Sequence, residues 1–180
     1  FKATAVHFKM SEDALAAEAV KFKHVNCKHP GGGEVRKTDA QVDMNAPEVA
    51  QRIEQELRIA RLIQQTLLPK TLPKLSGYEV AAYYQPAREV GGDFYDFLHL
   101  QDGYLGLVMG DATGKGMPAA LVMAGARSML RAVAQSSDSP GEVLKRANDA
   151  LVADIPPNMF ITCFYAVLDP ETGRLRYANA

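Results

Sequence analysis

Two short segments combine aspartate with glycine in a way that could do chemistry. The first reads GGDFYD and covers residues 91–96, and the second reads GDATGKG and covers residues 110–116. Glycine has no Cβ, so a ligand or an ion can approach its backbone closely. Aspartate offers hard oxygen donors on a short arm, which suit Mg²⁺ or Mn²⁺. The same pattern is also typical of turns and helix caps, and two aspartates are fewer than a complete metal site needs.

The second segment also invites an interpretation as a phosphate-binding loop. A Walker-type loop needs four residues between its glycines, then Lys, then Ser or Thr. Only three residues separate Gly110 from Gly114, and Gly116 follows Lys115. The spacing therefore argues against nucleotide binding, although an apolar strand precedes the segment and a helix follows it.

The surrounding sequence alternates strand and helix signals. A helix is predicted over 117–134, and a second one runs from Pro140 to about 154, with Ser139 at its N-cap. The Asp-Gly pair at 102–103 predicts a hairpin turn. Apolar and aromatic runs predict strands at 78–84, 94–100, 104–109, 160–168 and 174–179. Hairpins with clustered helices predict an α+β domain rather than a repeated βαβ unit.

The clearest helix covers residues 48–69, where no glycine intervenes and Pro69 stops the pattern. Glu56 interrupts the heptad seam that its apolar residues would form. The helix could pack on its own domain, or it could link an upstream module to a downstream domain and pair in a dimer. Its apolar stripe, at spacings of three and four, consists of Val49, Ile53, Leu57, Ala60, Ile63 and Leu67.

Residues 1–47 are weakly patterned. A short helix with Ser11 at its N-cap could form over 11–20. The run Gly31–Gly33, among many polar residues, indicates a flexible connection. We assign no fold to this segment, which could be the tail of an upstream module.

Composition limits the classes of function. The chain has 180 residues, of which 47% are hydrophobic and 23% charged, the balance of a soluble globular protein. Its formal net charge of −1 gives no overall field that would attract nucleic acid or an anionic membrane. Cys27 and Cys163 do not make a disulfide framework, which favours a reducing, cytoplasmic location. No run approaches the ~18 apolar residues of a membrane-spanning helix.

Residues 52–180 resemble bacterial PPM (PP2C-like) serine phosphatases of the SpoIIE/RsbU type. The motif LRIARLIQQTLLP at 57–69 resembles the helix that leads into their domain, and PAREVGGDFYD at 86–96 resembles their first acidic motif. The motif GDATGKGMPAA at 110–120 resembles their second, and the stretch from 159 to 180 is similar as well. We therefore expect an unassigned segment 1–47, a linker or switch helix 48–69, and a phosphatase domain 70–180.

The resemblance implies a PPM fold, in which helices flank a β-sandwich, and a site for two Mn²⁺ or Mg²⁺ ions. It implies that Asp93 bridges the two ions, and that Asp111 and the carbonyl of Ala112 hold one of them. The ions would lower the pKa of a shared water, which would attack a phosphoserine in line. Arg88 could bind the phosphate through two nitrogens or form a structural salt bridge. Asp96 should face the other side of its strand, so it is left out of the metal site.

The resemblance also implies a substrate and partners. The substrate would be a phosphoserine on a regulatory protein of the anti-sigma-factor antagonist type, in bacterial signalling. Partners would be that phosphoprotein, an upstream sensor domain and a second copy joined through the linker helix, with no nucleic acid or membrane. Because the family has further aspartate ligands beyond the position of Ala180, the site is expected to be incomplete at the C-terminus. The alternative is a catalytically incomplete module of the same fold that dimerises or transmits signals.

Overall fold

A computed structural model describes residues 5–10, 17–19, 47–86, 88–137 and 139–180. The helices are α1 (Pro47–Leu67), α2 (Met117–Ala134) and α3 (Pro140–Leu151). The strands are β1 (Ala5–Met10), β2 (Ala17–Ala19), β3 (Tyr78–Tyr83), β4 (Asp93–His99), β5 (Leu105–Ala112), β6 (Ile161–Leu168) and β7 (Leu175–Asn179).

The described strands form two sheets. The larger has the order β2-β7-β6-β5-β4, in which β4 to β7 are antiparallel neighbours and β2 lies parallel to β7. The smaller is the antiparallel pair of β1 and β3. Helices α2 and α3 contact the larger sheet and each other. The predicted α+β class is therefore confirmed.

The N-terminal segment differs from the sequence-based expectation. Residues 17–19, which lie within the helix predicted over 11–20, form strand β2, so the helix prediction is wrong at those residues. Strands β1 and β2 pair with β3 and β7, a pairing that nothing in the sequence indicated. The remainder of the predicted helix and the Gly31–Gly33 run lie outside the described residues.

Strand β5 is longer than predicted, and this extension positions the two aspartate segments. The apolar run ends at Met109, but the strand continues to Ala112 because β4 and β6 pair with it on both sides. Asp111 is therefore a strand residue rather than a loop residue. The predicted Asp-Gly turn before β5 is confirmed, since Asp102 has φ of 54° and Gly103 has φ of 79°.

Alternation along β4 separates two faces of the sheet. Phe94, Asp96 and Leu98 lie on the face that α2 covers, because the Asp96 carboxylate contacts two arginines of α2. Across from Phe94, Gly110 leaves room for the aromatic ring, which a Cβ at that position would strike. Asp93 lies on the opposite face. Helix α2 closes the core with a buried row of Ala119, Ala120, Met123, Ala126, Leu130 and Ala134.

Helix α1 is mostly exposed. It begins one residue before and ends two residues before the predicted span of 48–69. Within the predicted apolar stripe, Ile53 and Ile63 are 37% and 58% exposed and the other members are half-buried, so the stripe is not buried along its length. Packing concentrates at the C-terminal end, where Gln64 is the buried residue of the helix and Leu68 follows it into the core. The interpretation of a helix packed along its own domain is thus supported only for its last turns.

Candidate active site

Two aspartates face each other across neighbouring strands. Asp93 begins β4 and pairs directly with Asp111 of β5. Directly opposed residues of an antiparallel pair project to the same face, with Cβ atoms about 4.5–5.5 Å apart. Asp93 is half-buried and Asp111 is exposed, so the pair lies at the surface of the sheet. The structure therefore brings together the two predicted site aspartates, which are 18 positions apart in sequence.

The row continues into a third strand. Asp111 pairs on its other side with Thr162 of β6, whose side chain projects to the same face and is exposed. The sequence did not single out Thr162, because a threonine inside an apolar strand is an ordinary strand residue. Its hydroxyl adds a polar oxygen beside the two carboxylates.

Glycine at position 92 is needed for the close approach of the two strands. A Cβ on Gly92 would collide with the carbonyl oxygen of Ala112 and would lie 3.2 Å from the Cβ of Ala119. The backbone N–H of Ala112 donates to the carbonyl of Gly92 at 3.2 Å. Ala112 is fully buried, and its backbone lies directly beside the segment that carries Asp93.

The loop after Asp111 is tethered to the start of β6. The Thr113 backbone N–H donates to the carbonyl of Phe160 at 2.8 Å, and the Thr113 hydroxyl both donates to that carbonyl and accepts from the Phe160 N–H. Gly114 and Gly116 have φ of 99° and 73°, which L side chains rarely adopt. These two glycines therefore turn the chain from β5 into α2 and leave Lys115 exposed between them.

Helix α1 reaches the first aspartate segment through one amide side chain. Gln64 is 5% exposed. Its Nε2 donates to the carbonyl of Gly91 at 2.7 Å, and its Oε1 accepts from the Gly91 N–H at 3.1 Å. The side chain thus pairs with both backbone groups of Gly91, as a strand residue would. No local pattern indicates this role, because Gly91 lies 27 positions away in sequence.

Tyr84 joins the same network. Its hydroxyl donates to Oε1 of Gln64 at 3.2 Å. Burial raises the pKa of Tyr84 to about 12, and the negative charge of Asp93 adds to this shift. Tyr84 therefore stays a neutral hydrogen-bond donor at physiological pH, and it lies close enough to Asp93 for the carboxylate charge to affect its pKa.

Asp96 lies apart from this site, as the sequence predicted. It is 1% exposed, and its carboxylate accepts two hydrogen bonds from Arg131, at 2.5 and 2.7 Å. Arg127 lies 3.0 Å from the same carboxylate. Asp96 therefore fastens β4 to α2 and is not available to a ligand on the opposite face.

Arg88 is exposed and lies five positions before Asp93. Among the described residues it forms no salt bridge, so the structural ion pair predicted as its alternative role has no partner there. Its neighbour Glu89 pairs with Arg61 of α1 at 3.2 Å, a second link between that helix and this segment.

The oxygen donors fit a hard divalent cation in type but not in number. The carboxylates of Asp93 and Asp111 and the backbone carbonyl of Ala112 are the kinds of ligand that Mg²⁺ and Mn²⁺ take. Within the described part of the chain, no group of three or more His, Cys, Asp or Glu side chains is close enough to hold a metal ion. The described residues thus supply part of a ligand set.

Comparison with known proteins connects this arrangement to phosphatases. The Stage II sporulation protein E (SpoIIE) family matches residues 101–180. The phosphoserine phosphatase RsbU of Bacillus subtilis is 32% identical over 132 residues, covering 73% of this chain and 39% of RsbU. Protein IcfG of Synechocystis is 37% identical over 153 aligned residues, covering 69% of this chain and 24% of IcfG. The SiaA-PP2C domain of Pseudomonas aeruginosa matches with a TM-score of 0.61 at 25% identity, covering 73% of this chain and 55% of that structure.

The antiparallel sheet backed by two helices, with an aspartate pair at its surface, defines a PP2C-like fold. The chain belongs to the SpoIIE-type family of PP2C-like phosphatase domains, related to RsbU, IcfG and SiaA-PP2C. It spans 39% of the length of RsbU and 24% of that of IcfG. In the part of the chain that the structure describes, no helix is both long and apolar enough to cross a membrane.

Proposed function

We propose that this chain contributes Asp93 and Asp111 to a metal-dependent phosphatase that hydrolyses phosphoserine on a regulatory protein. The observation that supports the proposal most directly is the pairing of these aspartates on one face of the sheet. Like charges placed directly opposite are unfavourable unless a cation lies between them or solvent screens them. An opposed pair of carboxylates in a phosphatase family is thus best explained as a place for cations.

Each residue of the site has a role in this proposal. Asp93, Asp111 and the carbonyl of Ala112 would hold Mn²⁺ or Mg²⁺, which supply Lewis-acid activation of water and neutralise phosphoryl charge. Gly92 allows the backbone that carries Asp93 to lie against Ala112. Arg88 is exposed and unpaired by any described carboxylate, so its guanidinium is suited to two phosphate oxygens.

The substrate class comes from the relatives. RsbU is a phosphoserine phosphatase by name, and this chain shares 32% identity with it over the aligned region. We extend that activity to this chain and propose a phosphoserine of a regulatory protein, of the anti-sigma-factor antagonist type, as the substrate. The exposed position of Asp111 suits a substrate presented on a protein surface rather than one enclosed in a deep cavity.

The test is turnover of a phosphoserine peptide by the protein at its natural full length. We expect activity with Mn²⁺, none with chelator, and a loss of about 100-fold or more in Asp93→Asn, as found when a charge-stabilising group is removed. The matched control is Asp102→Asn in the exposed turn before β5, which should keep full activity. Turnover that persists with chelator and in Asp93→Asn would overturn the proposal. A folded protein with no turnover would favour a signalling module of the same fold.

We also propose that α1 is a linker to an upstream sensor domain and pairs with a second copy of itself. Ile59, Leu62 and Ile63 are 51%, 63% and 58% exposed, a large apolar surface for a single helix. In sedimentation experiments, Leu62→Glu should weaken the dimer. The control Leu121→Glu, at an equally exposed leucine of α2, should not. An unchanged dimer in Leu62→Glu would contradict this pairing.

A further inference from the structure

A cavity lies near the opposite end of β4 from Asp93. It has a volume of about 390 Å³ and lies between the end of α1 with the loop that follows it (residues 66–73), two residues of β4 (Phe97 and His99), and two of α2 (Arg127 and Arg131). Lys70 adds a third cationic side chain, and none of the described residues that line the cavity carries a carboxylate. His99 lies six positions beyond Asp93, about 20 Å along the strand. The cavity is therefore distinct from the aspartate pair.

The carboxylate behind this cavity is fully occupied. Asp96 accepts from the backbone N–H of Phe97 at 2.9 Å and twice from Arg131, and it also contacts Arg127 at 3.0 Å. These four contacts match the roughly four lone-pair sites that a carboxylate offers. Among the residues that the structure describes, one negative charge thus faces two guanidinium groups, which leaves one positive charge without a matching carboxylate beside the cavity.

Arg127 is the more buried of the two arginines that share the Asp96 carboxylate. Its side chain is 11% exposed, and its Nε is buried with no acceptor among the described residues. Burial lowers the pKa of Arg127 from its ordinary value; the charge of Asp96 opposes that shift, and the charge of Arg131 adds to it. An uncompensated charge and an unmatched N–H are both costly in a buried position. An anion held in the cavity beside the two guanidinium groups would compensate the charge.

We propose that this cavity binds a small phosphate-bearing anion, either inorganic phosphate or a phosphomonoester. The planar guanidinium fork matches phosphate oxygens, and Lys70 adds a point charge at the mouth. A bound anion bridges the loop that follows α1 and the helix α2. The proposal does not depend on phosphatase activity, since the cavity lies at the other end of β4 from Asp93.

The test is calorimetric titration of the chain with inorganic phosphate, and separately with O-phosphoserine, at constant ionic strength. A chelator in the buffer removes divalent cations, so that phosphate does not bind through them at Asp93 and Asp111. We expect saturable binding of one anion in at least one of the two titrations. Lys70→Met should weaken that affinity about three- to tenfold, the effect of removing roughly 1 kcal/mol of interaction at a rim charge.

Three further variants test whether the anion binds in this cavity and not elsewhere on the surface. Lys74→Met, at an exposed lysine outside the lining of this cavity, should leave the affinity unchanged. Arg131→Lys keeps the positive charge but removes the planar guanidinium N–H donors, so it should weaken anion binding. Asp93→Asn should bind the anion normally, which distinguishes failure here from failure of the proposed phosphatase site. Absence of saturable binding with both anions, or equal losses in Lys70→Met and Lys74→Met, would overturn the proposal.

Discussion

Asp93 and Asp96 stand three positions apart in the same strand and have opposite surroundings. Asp93 is half-buried and faces a second carboxylate, Asp111, across the sheet. Asp96 is 1% exposed and is held by Arg127 and Arg131. The strand alternation places them on opposite faces, so one aspartate is presented to solvent and the other is enclosed by α2.

The contrast shows that a residue's partners, and not its type, decide whether it can do chemistry. All the oxygens of Asp96 are used by hydrogen-bond donors of the protein, so this carboxylate stabilises the fold. The pair of Asp93 and Asp111 places two negative charges together, which costs stability unless something positive joins them. Substitutions at Asp96, Gln64 and Asp111 test this difference.

The largest effect is expected for Asp96→Ala. It leaves Arg127 and Arg131 without their carboxylate, and breaking a buried ion pair on one side costs about 3–5 kcal/mol. Urea denaturation followed by circular dichroism measures the change in the free energy of unfolding. The control is Asp149→Ala, which removes an exposed pair with Lys145 and should cost less than about 1 kcal/mol. Equal losses in the two variants would contradict the structural role assigned to Asp96.

A smaller effect is expected for Gln64→Leu. Leucine keeps the volume of the side chain but leaves the N–H and carbonyl of Gly91 without their partner, which costs about 1–3 kcal/mol. Because Gly91 lies two positions before Asp93, Mn²⁺-dependent turnover of the full-length protein should fall as well. Gln65→Leu changes the exposed neighbouring residue and should leave both stability and turnover unchanged. Loss of turnover in both variants would contradict a specific role for Gln64.

The smallest effect, opposite in sign, is expected for Asp111→Asn. In chelator, this change removes the repulsion between opposed carboxylates, so the free energy of unfolding should rise by about 0.2–1 kcal/mol. The gain should shrink as salt is added, since salt screens exposed charges. Urea denaturation at low and high ionic strength measures both effects. Destabilisation by Asp111→Asn in chelator would show that this carboxylate supports the fold and weaken the comparison with Asp96.

Much of the sheet and both of its helices could be predicted from the sequence, because their patterns are local. The predicted span of 117–134 for α2 matches the structure, as does the turn at Asp102 and Gly103. The position of Asp111 could not be predicted in the same way. The apolar run stops at Met109, and only pairing with β4 and β6 extends the strand to Ala112. The direct opposition of Asp93 and Asp111 is thus a result of tertiary pairing.

Two other features have no local signal. Gln64 is polar, and its burial follows from where Gly91 and Tyr84, both distant in sequence, meet the helix. Strands β1 and β2 are short and depend on pairing with β3 and β7, far away in sequence. Residues 17–19 have an alanine-rich composition that favours a helix, and the neighbouring strand overrides that preference.

Helix α1 has 21 residues, and its buried contacts are concentrated in its last turns. A helix of that length is about 30 Å long, so tilting it by a few degrees about those last turns would move its first residues by about 2–3 Å. The same tilt would move Gln64 very little, but Gln64 is hydrogen-bonded to both the N–H and the carbonyl of Gly91. We therefore expect a displacement of the N-terminal end of α1 to reach the backbone that carries Asp93 as a much smaller movement, through the hydrogen bonds between Gln64 and Gly91.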